Sequence, residues 1–279
     1  MEILAEPART RFDLRFAVLG IPVRVHPMFW IGTLLLSLQP GSTVLSIAIW
    51  LPAVFLSILV HELGHVLAFR RYGRRSRITV YGMGGLAIAD DGGRGLASRQ
   101  QIFVSAAGPL AGFVLGGMVI AVVAGLGYRV DVLGFALLDG ATIESLPLRL
   151  LVNDLLAINF LWGLVNLAPV VPLDGSTIAY HAFFRRDAAH GRESSARLSF
   201  LVAVVLALIG LFVGQTLMAI LFAVLAFSSY QVLGQLHADP FKLPSFKRSG
   251  LERKKKKIEH ELRLIEGGKD KDDGSDLPN

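Results

Sequence analysis

Five consecutive residues, His61-Glu62-Leu63-Gly64-His65, carry the densest chemistry in the chain, and they sit within ILVHELGHVLAF (58–69), a stretch otherwise as apolar as a bilayer interior. Histidines four residues apart share one face of a helix, so two imidazoles can be offered to a single ion. Glu62 is too near in sequence to be a comfortable third ligand, yet it is well placed to take a proton from a water on that ion. Ionisable groups left unpaired in a spanning helix cost several kcal/mol, which makes such a triad a functional-site expectation by default. The bland alternative has both histidines hydrogen-bonded to neighbouring helices and Glu62 reaching toward the headgroups. The chain has no cysteine, so disulfides, thiolate metal sites and cysteine nucleophiles are excluded, and any metal must be held by nitrogen and oxygen.

Two ligands do not complete a catalytic zinc site, which ordinarily has three protein ligands and an open fourth position. The other candidate stretch is NLAPVVPLDG (166–175), where Asp174 is the sole carboxylate between Asp154 and Asp187. Pro169 and Pro172 forbid an uninterrupted helix here, and open backbone groups at membrane depth are tolerated only where they line a cavity or are buried in protein. In isolation Asp174 is equally a plain turn residue ahead of Gly175.

The elements that must bring these stretches together are spanning helices. Hydrophobic residues make up 53% of the 279 and charged ones only 18%, outside the balance of a soluble domain and expected of an all-α polytopic membrane protein. Apolar segments at about 28–38, 43–69, 101–127, 150–173, 198–213 and 216–236 predict about six transmembrane helices. Of the net charge of +6, the distribution matters most. Arginine and lysine gather before the first segment, between the second and third, between the fourth and fifth, and after the sixth, whereas the alternate connections are poor in cations. The positive-inside rule then places both termini in the cytoplasm. Segments two and four run the same way, so His61, His65 and Asp174 fall at similar depth on one side, and a His, His, Asp zinc site with an open position follows. Expected divisions are a cytoplasmic N-terminal segment (1–24), a membrane domain (25–236) and a charged cytoplasmic tail (237–279). The N-terminus mixes both charge signs and lacks the apolar core of a signal peptide.

Two pieces are irregular. RITVYGMGGLAIADDGG (77–93) has two β-prone runs about a glycine-rich turn and predicts a hairpin on the cytoplasmic side. In the tail, Leu251, Ile258, Leu262 and Ile265 form one stripe of a basic helix, suited to an anionic leaflet or equally to a solvated charged helix.

HELGH on one predicted span and NLAPVVPLDG on another resemble the site-2 protease family of intramembrane zinc metalloproteases, in its compact form without a PDZ or CBS domain. The resemblance covers roughly residues 15–235. It implies one zinc ion held by His61, His65 and Asp174, with Glu62 as general base and Asn166 helping the substrate backbone or oxyanion. It implies further that Gly84, Gly85, Leu86 and Ala87 belong to a membrane-associated β-hairpin whose edge pairs with an unwound substrate strand, and that SAAGPLAG (105–112) is a close-packing helix. The implied activity is hydrolysis of peptide bonds in or near transmembrane segments, as in regulated intramembrane proteolysis. The implied partners are a transmembrane protein substrate and the lipid bilayer of a bacterial or archaeal plasma membrane, with no nucleic acid. His26, in VRVHPMFW, matches a recurring N-terminal element with a packing or hydrogen-bonding role. Rival readings are a membrane zinc transporter, which would need a second cluster of ligands at another depth that the spans lack, and a catalytically inactive relative, against which the intact Glu62 speaks.

Overall fold

The computed structural model describes residues 6–38, 41–82, 84–90, 95–132, 134–184 and 190–238. It divides into one unit up to Leu233 and a second from Gly234. In the second, the described residues are the end of the last helix; the apolar stripe expected around 251–265 lies outside the described residues.

Strands β1 (Leu14–Val18) and β2 (Ile21–Val25) open the fold, followed by α1 (Pro27–Ser37) and the long helix α2 (Val44–Arg71). The expected hairpin follows as β3 (Arg75–Tyr81) and β4 (Gly84–Asp90), then α3 (Ser98–Gly125), and a short hairpin of β5 (Val130–Val132) and β6 (Phe135–Leu138). Helices α4 (Leu146–Ala157) and α5 (Gly163–Asn166) are joined through a π-helical turn at Ile158–Trp162. The chain then forms α6 (Asp174–Ala179), α7 (His190–Phe212) and α8 (Thr216–Ala238).

Among the described residues five helical rods are long and apolar enough to cross a membrane: α2, α3, the Leu146–Asn166 rod, α7 and α8. The first apolar segment gives only the 11 residues of α1, about 17 Å of helix against a core of about 30 Å. His26 caps it, its Nδ1 accepting from the Met28 N–H at 3.2 Å, the hydrogen-bonding role expected of this residue. The fourth segment does not reach Asp174 as one helix. It stops at Asn166, because Pro169 and Pro172 lack the N–H a helix needs, and Asp174 starts a new helix.

The sheet is larger than the sequence suggested. It has four strands in the order β1-β2-β3-β4, with β2 and β3 parallel and the other pairs antiparallel. Two of its strands come from within or beside the segment 1–24. Strand alternation turns Ile21, Val23, Val25, Ile78 and Val80 onto Val54, Ile58, Leu59 and Val66 of α2, so the sheet is bolted to the helix that carries HELGH. On the N-terminal side Arg24 gathers Glu6 at 2.9 Å and Asp13 at 3.2 Å, and Arg77 adds a 2.8 Å ion pair to Glu6. Hydrogen bonding from Thr10, helped by Arg24, holds the Asp13 carboxyl down at about 2; Glu6 is lowered chiefly by its hydrogen bond from Arg77. The outcome for β4 is positional: it is a terminal strand of the sheet, and its free edge lies toward α2.

Candidate metal centre and active-site cavity

His61 and His65 are one helical turn apart on α2, with their rings edge to face and centroids 4.8 Å apart. Asp174 arrives from 113 residues further along the chain, its Oδ2 3.1 Å from His61 Nε2 and 3.3 Å from His65 Nε2. The two Nε2 atoms are 3.1 Å from each other. A tetrahedral zinc with ligands at about 2.0–2.1 Å requires ligand-to-ligand edges of about 3.3 Å, so the triangle has the size of one face of that tetrahedron.

Proton accounting gives the same answer. His65 Nδ1 lies 2.8 Å from the Val104 carbonyl, and a carbonyl only accepts, so Nδ1 carries the proton. In the neutral ring Nε2 is then a bare lone pair facing an acceptor oxygen and a second imidazole nitrogen. A single proton on His61 Nε2 cannot satisfy both neighbours, whereas a cation between the three can. The Val104 contact is the carbonyl-to-histidine support that fixes tautomer and ring orientation in metal sites. Among the described residues this is the one cluster of histidine and acidic side chains arranged to hold a metal.

Glycines make the approach possible. A Cβ at Gly108 of α3 would collide with His65 Nε2 and lie 2.8 Å from His61 Nε2. At Gly64 a side chain would collide with the Ala107 carbonyl, so α2 and α3 touch backbone to backbone, as SAAGPLAG led one to expect. Gly175 has the same role for Asp174: any side chain there would strike the carbonyls of Leu167 and Ala168, which folds the loop 167–173 tightly back on α6.

Glu62 is 5% exposed and lies under β4. The Ala87 backbone is a hydrogen-bond partner of its carboxylate, and a Cβ on Gly85 would overlap its side chain. A cavity of about 620 Å³ opens beside these groups, lined by His61, Glu62, His65, Asp174 and Asn166 together with Gly84, Gly85, Leu86 and Ala87 of β4. Every site residue singled out in the sequence therefore borders one space. Asn166 is buried on α5 at its wall.

Two cavity residues had not been anticipated. Asn159, in the π-helical turn, is 3% exposed and donates to Ser57 Oγ at 2.9 Å and the Leu155 carbonyl at 2.8 Å, joining the α4 rod to α2. Its position seven residues before Asn166 was the available signal. Tyr81 ends β3 on the cavity wall, where burial pushes its phenol up, so it remains a hydrogen-bond donor at neutral pH.

A bundle of apolar helices around a largely buried His, His, Asp cluster beside a strand edge is the architecture of a polytopic membrane protein with a candidate metal site. The sequence profile of peptidase family M50 matches residues 49–213, more than half of the chain, and the chain belongs to that family. It is 24% identical over 217 residues to the zinc metalloprotease MJ0392 of Methanocaldococcus jannaschii, an alignment covering 77% of this chain and 57% of that protein. The chain thus spans less than two thirds of that relative. In fold it is similar to the solved site-2 protease from Methanocaldococcus jannaschii, with a TM-score of 0.52 and 23% identity over 80% of this chain and 95% of that one. It is an integral membrane protein of peptidase family M50.

Proposed function

We propose that this chain is an intramembrane zinc endopeptidase that hydrolyses peptide bonds in or near the transmembrane segments of membrane-protein substrates, as in regulated intramembrane proteolysis. The observation that carries the reading is the convergence of His61, His65 and Asp174 within hydrogen-bond distance across 113 residues of sequence, beside a buried carboxylate. His61, His65 and Asp174 would hold one zinc ion per chain. When bound, zinc supplies the Lewis acidity that acidifies a water and polarises a carbonyl.

The chain's own residues do the rest. Glu62 takes a proton from the attacking water and returns it to the leaving amine. Asn166, on the cavity wall, donates its side-chain amide to the substrate carbonyl oxygen or backbone. A carbonyl locked in a helical hydrogen bond is a poor target, so the substrate must unwind. The outer edge of the run Gly84, Gly85, Leu86 and Ala87, where Ala87 also serves Glu62, offers backbone partners to the extended segment and offsets that cost. Gly85 lets the strand close over Glu62, which places a paired substrate across the base. The membrane is a bacterial or archaeal plasma membrane, with both termini and the sheet on the cytoplasmic side, in keeping with the arginine-rich alternate connections.

The test is Glu62→Gln in the full chain, reconstituted with a membrane-spanning peptide. Loss of cleavage by about a hundredfold or more with zinc content unchanged is expected; cleavage at the wild-type rate would refute the role of Glu62. Zinc flux into vesicles by the same preparation, without cleavage, would favour a transporter.

A further inference from the structure

The loop that delivers Asp174 is held from an unexpected direction. The backbone donors of residues 167–173 can be accounted for one by one. Leu167 and Ala168 donate back to the Leu164 and Val165 carbonyls of α5, Val170 donates to Ala168 and Leu173 to Val170, and Pro169 and Pro172 have no N–H. Among these donors Val171 is the one that reaches a helix distant in sequence: its N–H donates to Ser199 Oγ of α7 at 2.8 Å.

Ser199 is 0% exposed and Ser229 of α8 is 1% exposed, and their hydroxyls are 2.7 Å apart. Ser229 Oγ also donates to the Leu225 carbonyl at 2.9 Å. A carbonyl cannot donate, so the Ser229 proton is committed to Leu225 and the Ser199 proton must go to Ser229. One ordered chain results: Val171 N–H to Ser199, Ser199 to Ser229, Ser229 to Leu225. An apolar plug lies beside it, with Val170 packed against Ala203 of α7 and Phe222 and Ala226 of α8.

We propose that Ser199 and Ser229 are positioning residues for the ligand Asp174, three residues beyond Val171, and that this hydroxyl chain sets how tightly the metal is held. The proposal rests on the reading of Asp174 as a metal ligand. Helices α7 and α8 contribute no ligand themselves; they act by fixing the loop. Loss of the Ser199 hydroxyl leaves the Val171 N–H without its partner in a buried setting, where an unsatisfied donor is costly, and the loop shifts to find another. Loss of the Ser229 hydroxyl removes only the acceptor of the Ser199 proton, so its effect is smaller.

The test measures metal affinity of the purified full chain in detergent by competition with a chromophoric chelator, using Zn²⁺ and, for its visible spectrum, Co²⁺. Ser199→Ala should weaken binding about tenfold to a hundredfold, the range typical of residues that support metal ligands, with an altered Co²⁺ band shape. Ser229→Ala should weaken it by less than Ser199→Ala. Asp174→Ala is the reference: if it leaves affinity unchanged, the metal-site reading fails, whatever the serines do. If Asp174→Ala abolishes binding while both serine variants, eluting and melting as wild type, stay within about twofold of it, the positioning proposal is overturned. Should Ser199→Ala not fold, wild-type affinity in Ser229→Ala overturns it equally.

Discussion

His61 and His65 stand on one helix, their spacing set by 3.6 residues per turn, whereas Asp174 stands at the start of a short helix behind a two-proline loop. The first pair is placed by a local rule, braced by the Val104 carbonyl of α3 and by the sheet packed on α2. The aspartate's short helix packs on α3, and the loop before it is held at Gly175 by the Leu167 and Ala168 carbonyls and by α7 and α8 through Ser199 and Val170. The proposed metal site thus has a rigid half and a suspended half. Distant changes should therefore act through the aspartate more readily than through the histidines.

Removing a ligand from either half gives the largest expected effect. His61→Ala and Asp174→Ala should each lower cleavage by about a thousandfold or more, since several kcal/mol of charge stabilisation is lost, with zinc content by elemental analysis falling in parallel. Equal retention of zinc in both variants would break the comparison at its root.

Gly108→Ala attacks the rigid half without touching a ligand. The new methyl meets His65 Nε2, and α3 cannot withdraw because Gly64 is already on the Ala107 carbonyl. Zinc affinity should fall about tenfold to a hundredfold. Gly117→Ala, with nothing within 4 Å of the added carbon, is the matched control and should leave affinity unchanged.

Gly85→Val tests the strand edge apart from the metal. Its side chain would intrude on Glu62, so cleavage should drop about tenfold to a hundredfold while zinc content stays at the wild-type level. Loss of metal in this variant would mean that β4 supports the histidine half directly.

The smallest effect is expected at the N-terminal ion network. Arg24→Ala removes its own ion pairs to Glu6 and Asp13, leaving Glu6 with Arg77 and Asp13 with Thr10, and should destabilise the sheet by about 1–3 kcal/mol, with little change in zinc affinity. Its pH dependence follows from the carboxylates. Asp13 is held below its ordinary 3.8 at about 2, so the unfolded chain binds the extra proton in that window and stability rises with pH there. The contribution is complete above about 3.8 and lost as pH falls toward about 2. Pepsin cleavage near the N-terminus should therefore accelerate across that interval in the wild type, and less so in Arg24→Ala.

These contrasts follow the limits of legibility. HELGH was open to reading because helical periodicity is local, and the apolar helices because each exceeds the bilayer thickness in one continuous run. Asp174 was legible through its neighbours Pro169, Pro172 and Gly175, which announce a broken helix, although the helix it opens was not foreseen. The β3–β4 hairpin followed from β-prone runs about glycines. The first two strands did not, since Leu14–Val18 has an exposed pattern throughout and shows no alternation to mark it. Asn159 offered only its spacing from Asn166, and Ser199 offered no signal, because polar residues in apolar helices look alike until a partner on another helix is known.

By itself the sequence determined which groups can bind a metal and move a proton, and that His61, Glu62 and His65 lie in a membrane-crossing helix, because residue chemistry and helical spacing are properties of short segments. Only the tertiary structure decided that the three ligands close to a triangle of 3.1 to 3.3 Å, that β4 presents a free edge over Glu62, and that two serines hold the aspartate's loop. Those are distances between segments far apart in the chain, set by glycine-permitted helix contacts and buried hydrogen bonds that no local pattern encodes.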